Sequence, residues 1–131
     1  MLPAKKAAMS RLFSWLLRWT WWARKWFVLL RERQLRVHAA ADLIAAELNA
    51  NAEIVRAPHY RQDLSTRLDL QLDSWERHRA ELYPIWRKDP SLWFDLQAAY
   101  ERLRWVATRG GEAPTEEALQ QLAERLRTAR Y

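Results

Sequence analysis

From Arg11 to Ala57 the chain runs 47 residues without a glycine or a proline. Those residues disfavour a helix interior by about 1 and 3 kcal/mol respectively, so nothing in this run breaks a helix. Ser10 is the expected N-cap, and residues 1–10, which include Pro3, read as a frayed end. The helix is expected to stop before Pro58. Fully formed, it would span about 70 Å at 1.5 Å per residue, longer than a small domain is wide, so it must project or bend.

The whole chain has 131 residues, one domain's worth, with only two glycines and five prolines. Repeated β-turns need more of both, so the expected class is all-α. The absence of cysteine excludes disulfides, thiolate catalysis and zinc–cysteine sites, and agrees with a reducing compartment. No cleavable signal peptide is expected, because Arg18 interrupts the hydrophobic stretch after Lys5 and Lys6.

Charge divides the chain in two. Residues 1–41 carry nine Lys/Arg against one acid, Glu32, while residues 42–131 carry thirteen against fifteen. A basic arm at residues 1–37 therefore precedes a nearly neutral helical domain at 38–131.

Within the long run, apolar residues fall at heptad spacing. Leu30, Val37, Ile44 and Asn51 make one row; Phe27, Ala41, Leu48 and Val55 make the other, interrupted by Gln34. Val28, Leu29, Leu35 and Leu43 widen the stripe, which favours packing on the chain's own core over a dimer seam. Asn51 at an inward position needs a partner: a backbone carbonyl, or the hydroxyl of Tyr60 or Tyr100.

Further along, Pro58–Thr66 reads as a connection, with Leu64, Leu68, Leu70 and Leu72 spaced evenly along coil or a helical turn. Asp73 and Glu76 form a D-x-x-E capping box, predicting a helix with Trp75, Leu82 and the stem of Arg79 facing inward and Pro84 ending or kinking it. Asp89-Pro90 starts the next helix, carrying Leu92, Trp93, Leu96, Tyr100, Leu103 and Val106, and Gly110-Gly111 stops it. Thr115 caps the last, with Leu119, Leu122, Ala123 and Leu126 inward, so these two helices should form an antiparallel hairpin.

No catalytic signature is present. His59 with Asp63 and His78 with Glu81 have helical spacing, but two ligands are not a metal site and nothing completes one. Asp73, Glu76 and Glu81 alternate with Arg77 and Arg79 as surface pairs do. The two glycines share one helix-stopping loop, so no phosphate cradle exists. The expectation is a non-enzyme without cofactor or metal.

The informative segment is Arg18–Trp26, RWTWWARKW, with four tryptophans and three cations in nine residues. Leu12, Trp15, Leu16, Trp19, Ala23, Trp26, Phe27 and Leu30 share one helical face, and Arg11, Arg18 and Lys25 recur seven apart. Leu17, Trp21, Trp22, Val28 and Leu29 fall outside that face, so burial would require wrapping most of the circumference. Leu12–Leu30 is long enough to cross a bilayer, but Arg18, Arg24 and Lys25 would each cost about 2.5–3.5 kcal/mol near its centre, against roughly 3–4 kcal/mol returned by eight Leu, Phe and Val residues. Nucleic acid accounts for the cations and for stacked indoles, but not for Leu16, Leu17, Leu29 and Leu30.

A position in the headgroup layer accommodates both residue classes. The expected anchors are Trp15, Trp19, Trp22 and Trp26, with Arg11, Arg18, Lys25 and Arg31 on lipid phosphates. The expected partner is an anionic membrane surface, on the cytoplasmic face of the inner membrane. The alternatives are nucleic acid, a single-pass span, or burial of the arm in a homo-oligomer; a protein partner for the helical domain is compatible with each.

Three short patterns, Glu47-Leu48-x-x-Asn51, Trp75-x-x-His78-Arg79-x-x-Leu82 and Leu92-Trp93-x-x-Leu96-x-x-x-Tyr100, resemble those of a loose set of uncharacterised small bacterial proteins. The resemblance covers roughly residues 40–105. It implies an N-terminal membrane-anchoring segment, a long helix and a small helical domain, and carries no activity.

Overall fold

The computed structural model describes residues 2–56 and 69–129, with side chains from Ser10 onward. The described residues are helices joined by short turns, with no strand among them. In chain order these are α1 (Leu2–Arg56), α2 (Asp73–His78), a 3₁₀ turn (Arg79–Leu82), α3 (Tyr83–Lys88), α4 (Pro90–Arg109) and α5 (Glu116–Thr128). The fold is all-α, with a long N-terminal helix whose later part packs with shorter helices, as the sequence predicts. The chain divides into two compact units, Met1–Leu35 and Arg36–Tyr131.

The start of α1 corrects the sequence reading. Helix begins at Leu2, so Ser10 lies inside it and caps nothing. Pro3 falls in the first turn, where its missing N–H has no intrahelical partner to lose. The predicted connection at Pro58–Thr66, with Leu64 and the His59/Asp63 pair, lies outside the described residues, as do Tyr60 and Leu68.

In the second unit the core gathers on Val37, Ala40, Ala41, Ile44, Ala45, Leu48 and Ala52 of α1. Opposite them stand Leu70, Trp75, Leu82 and Ile85, then Leu92, Leu96, Tyr100, Leu103 and Val106 of α4 and Leu119, Leu122, Ala123 and Leu126 of α5. The heptad reading holds from Val37 onward. It fails at Leu30 and Phe27, and at the flanking Val28, Leu29, Leu35 and Leu43, all exposed. Those positions have apolar residues at suitable spacing but no second layer against them among the described residues.

Local chemistry sets the ends of α4 and α5. The Asp89 carboxylate accepts from Leu92 N–H (3.2 Å) and from the Ser91 hydroxyl (2.7 Å), while Pro90 occupies the first turn of α4. These bonds hold the Asp89 carboxyl below its ordinary range, the Ser91 bond most of all. Gly110, at φ 81°, ends α4 in the left-handed region that glycine enters without strain. The Thr115 hydroxyl accepts from Ala118 N–H at 3.1 Å to start α5. Arg125, late in α5, reaches Asp95 (2.7 Å) and the Ser91 hydroxyl (3.3 Å), early in α4, which makes the pair antiparallel.

The region of α2 and α3 departs furthest from expectation. Asp73 caps nothing; it is the first helical residue, and Leu72 stands at the cap without a side-chain bond. The cap comes from α1 instead. The buried Glu47 carboxylate accepts from Ser74 N–H (2.7 Å) and Trp75 N–H (3.2 Å), satisfying two of the amides a helix start leaves open. One turn later Asn51, fully buried, donates its amide to the Gln71 carbonyl and accepts from the Gln71 N–H, both at 2.7 Å. The required partner of Asn51 is thus a backbone carbonyl, the first of the expected choices, and its amide is spent on structure. Pro84 opens α3 rather than ending a helix, and Arg79 is exposed, not packed inward.

Tyr100 completes this corner. Its ring stacks on Trp75 with centroids 4.8 Å apart and planes 4° from parallel, and Trp75 also meets Trp93 at 5.3 Å. The Tyr100 hydroxyl is buried without a hydrogen-bond partner among the described residues. Burial, then the charge of nearby Glu47, pushes its ionisation far above the ordinary tyrosine range.

Candidate functional site

Every residue from Ser10 to Arg36 is exposed. No glycine or proline interrupts residues 10–36, so nothing in the sequence breaks the helix where no described layer packs on it. Thr20, the one residue of the Trp-rich stretch that competes for backbone, points its hydroxyl back to the carbonyls of Leu16 (3.0 Å) and Leu17 (2.9 Å) and so stays within the helix.

The exposed surface is large and apolar. Leu12, Phe13, Trp15, Leu16, Leu17, Trp19, Trp21, Trp22, Trp26, Phe27, Val28, Leu29 and Leu30 all stand open, with Trp26 66% and Trp15 61% accessible. Scattered apolar residues on a surface need no explanation; a contiguous patch of this kind marks an interaction site.

Geometry groups the predicted residues. At 100° per residue, Trp15, Trp19, Trp22 and Trp26 fall within an arc of about 60°, and Arg11, Arg18 and Lys25 border it within about 40°. Arg31 lies across the helix from that border, beside Arg24, so it faces the opposite edge of the apolar stripe. The helix therefore carries an apolar stripe with the tryptophan ridge along one side, Arg11, Arg18 and Lys25 beyond that side, and Arg31 and Arg24 beyond the far side.

Trp21 belongs to the same surface and was not among the predicted anchors. Its ring meets Trp22 edge-on at 5.6 Å, and the Lys25 ammonium sits over both rings, 5.1 Å from the Trp21 centroid and 5.9 Å from that of Trp22. The signal was present in the i,i+4 spacing of Trp21 and Lys25. Trp21 also lines an open groove with Ser10, Phe13, Ser14, Leu17 and Arg18. Apolar material thus extends round most of the helix, and its amphipathic character rests on where the cations stand.

No metal-holding cluster of His, Asp or Glu occurs among the described residues. His78 Nδ1 lies 3.5 Å from the Glu81 carboxylate without a hydrogen bond. Glu76 pairs with Arg104 across helices, and among the described residues neither Arg77 nor Arg79 pairs with the interleaved acids as the spacing predicts. No described helix is long and apolar enough to cross a membrane. No protein-family model, curated protein or solved structure matches the chain.

Proposed function

We propose that the protein is a non-enzymatic, membrane-associated helical protein. Residues 12–30 lie in the headgroup layer of an anionic bilayer, and the unit from Arg36 onward acts as a scaffold or interaction module on the cytoplasmic face. The observation that carries this reading is the uninterrupted exposure of residues 10–36, which holds fourteen large apolar side chains open beside Arg11, Arg18, Arg24, Lys25 and Arg31.

Water is a poor solvent for that surface, and hydrocarbon is a poor solvent for its cations. At the headgroup level an indole buries its ring and keeps its N–H solvated, while guanidinium meets phosphate. Each basic residue near an anionic leaflet contributes about 1 kcal/mol, so the five cations just named contribute roughly 5 kcal/mol before any ring is buried. Lying in the layer also avoids moving Arg18 to a bilayer centre.

Sedimentation of the full-length protein with vesicles of phosphatidylglycerol and of phosphatidylcholine tests the proposal. The expected result is pelleting with the anionic vesicles, weaker pelleting with the neutral ones, and a blue shift of tryptophan emission. Protein that stays in the supernatant with unshifted emission overturns it. Quenching that saturates with a single-stranded oligonucleotide, and not with vesicles, assigns the arm to nucleic acid instead.

A further inference from the structure

The helical unit carries an open apolar groove lined by Arg79, Ala80, Tyr83, Trp86 and Trp93. Its floor is firm, because Trp93 packs on the buried Trp75. Its rim is not covered: Tyr83 is 47% and Trp86 36% exposed, their rings tilted against each other with centroids 5.1 Å apart. Tyr83, Trp86 and Arg87 stand at i, i+3 and i+4 on α3 and so share a face.

Two guanidinium groups, Arg79 in the lining and Arg87 on the same face of α3 as Tyr83, stand at the groove. Arg79 and Arg87 enter no ion pair among the described residues. Of the acids beside them in sequence, Glu76 pairs with Arg104 and Asp89 lies 3.9 Å from Arg125, while Glu81 stands exposed near His78 without a hydrogen bond to it. Two amphipathic rings and two unpaired guanidinium groups repeat, on a separate unit, the residue chemistry of the arm.

We infer that this groove is a second contact with the anionic headgroup layer, Tyr83 and Trp86 settling at headgroup depth while Arg79 and Arg87 meet lipid phosphate. The inference rests on the proposed role of the arm, and it makes the helical unit a participant in membrane contact. The charge complementarity of two guanidinium groups and a phosphate surface selects the occupant; a neutral apolar peptide would leave both cations unanswered.

The natural chain has no cysteine, so single labels are clean. Full-length Trp86→Cys, Trp22→Cys and Gln121→Cys variants would each carry an environment-sensitive fluorophore, with Gln121 chosen as an exposed polar position on α5. On phosphatidylglycerol vesicles the expected emission shifts to the blue at positions 22 and 86 and stays fixed at 121. A shift at 22 without one at 86 overturns the groove contact and leaves the arm's role standing; no shift at either overturns both.

A second measurement does not depend on replacing an aromatic residue. The double variant Arg79→Gln/Arg87→Gln, with helicity and melting temperature matched to the parent, should partition onto anionic vesicles about 30-fold more weakly at low salt. Partitioning within twofold of the parent overturns the inference.

Discussion

One helix contains two kinds of apolar surface. Between Ser10 and Arg36, α1 presents tryptophan, phenylalanine and leucine that stay exposed; between Val37 and Ala52 it supplies one wall of a core. Both stretches are helical, and both are rich in apolar residues. They differ in size and placement. The buried stretch uses Ala40, Ala41, Ala45 and Ala52 around Ile44 and Leu48, small residues that let other helices approach closely. The exposed stretch puts bulky rings and cations round the cylinder, a surface no single facing helix can cover. Apolar content alone does not specify burial; an arc of graded side-chain volume does.

The largest expected difference between the two regions is in stability. Leu48→Ala should destabilise the protein by about 3–5 kcal/mol in urea denaturation, whereas Trp22→Ala should stay within about 0.5 kcal/mol of the parent, because the first opens a cavity and the second only trims an exposed ring. Comparable losses at both sites would break the contrast and imply that the arm is buried in solution.

Next in size is the polar bracket by which α1 holds α2. Glu47→Ala leaves two amides at the start of α2 without their acceptor and should cost about 2–3 kcal/mol, with Glu47→Gln recovering part of it. A loss below about 0.5 kcal/mol for the alanine variant would show that solvent replaces the carboxylate at that helix start.

How much of this could be read in sequence depends on how local its cause is. Asp89, Thr115 and Gly110 act within three or four residues of the ends they set, and their roles were legible. The Glu47 cap bridges 27 and 28 residues to Ser74 and Trp75, and the Asn51 bracket bridges 20 to Gln71. No spacing rule announces such pairs; the nearby Asp73, with the right chemistry at the right offset, took the role on paper. Pro84 is legible as an end or a kink, since proline both stops one helix and starts the next; the 3₁₀ turn at Arg79–Leu82 breaks the α-helical run just before it, and Pro84 stands in the first turn that follows. For the arm, the tryptophan and arginine positions were visible at once. What sequence did not disclose was where the core stripe begins, because Phe27 and Leu30 keep the heptad spacing although both stay exposed.

A smaller effect concerns the Tyr100 hydroxyl. Its folded ionisation is raised above the unfolded value, so the neutral phenol contributes stability that is complete below about pH 10 and lost as the pH climbs beyond it, by about 1.4 kcal/mol for each pH unit. Tyr100→Phe keeps the stacking on Trp75 and removes the titrating group. It should lie within about 1 kcal/mol of the parent at pH 7 and exceed it in stability in alkaline melts; equal alkaline loss in both proteins would refute the assignment.

The smallest effect is on the acid side. The bonds from Ser91 and Leu92 hold the Asp89 carboxyl below its ordinary value, so its stabilisation is present above about pH 4 and fades as the pH falls through the lower folded value. Asp89→Asn, which keeps a capping oxygen but cannot titrate, should flatten that limb of the stability profile slightly. A limb of unchanged slope would place the acid sensitivity elsewhere.

The contrast within α1 is tested most directly by amide hydrogen exchange on the full-length protein, measured with and without phosphatidylglycerol vesicles. In water alone, amides of residues 12–30 should exchange much faster than those of residues 40–52, which are held by the core. With vesicles, the first set should slow markedly while the second stays as it was. Equal exchange of residues 12–30 with and without vesicles would contradict the account, and with it the claim that this stretch is built for a lipid surface.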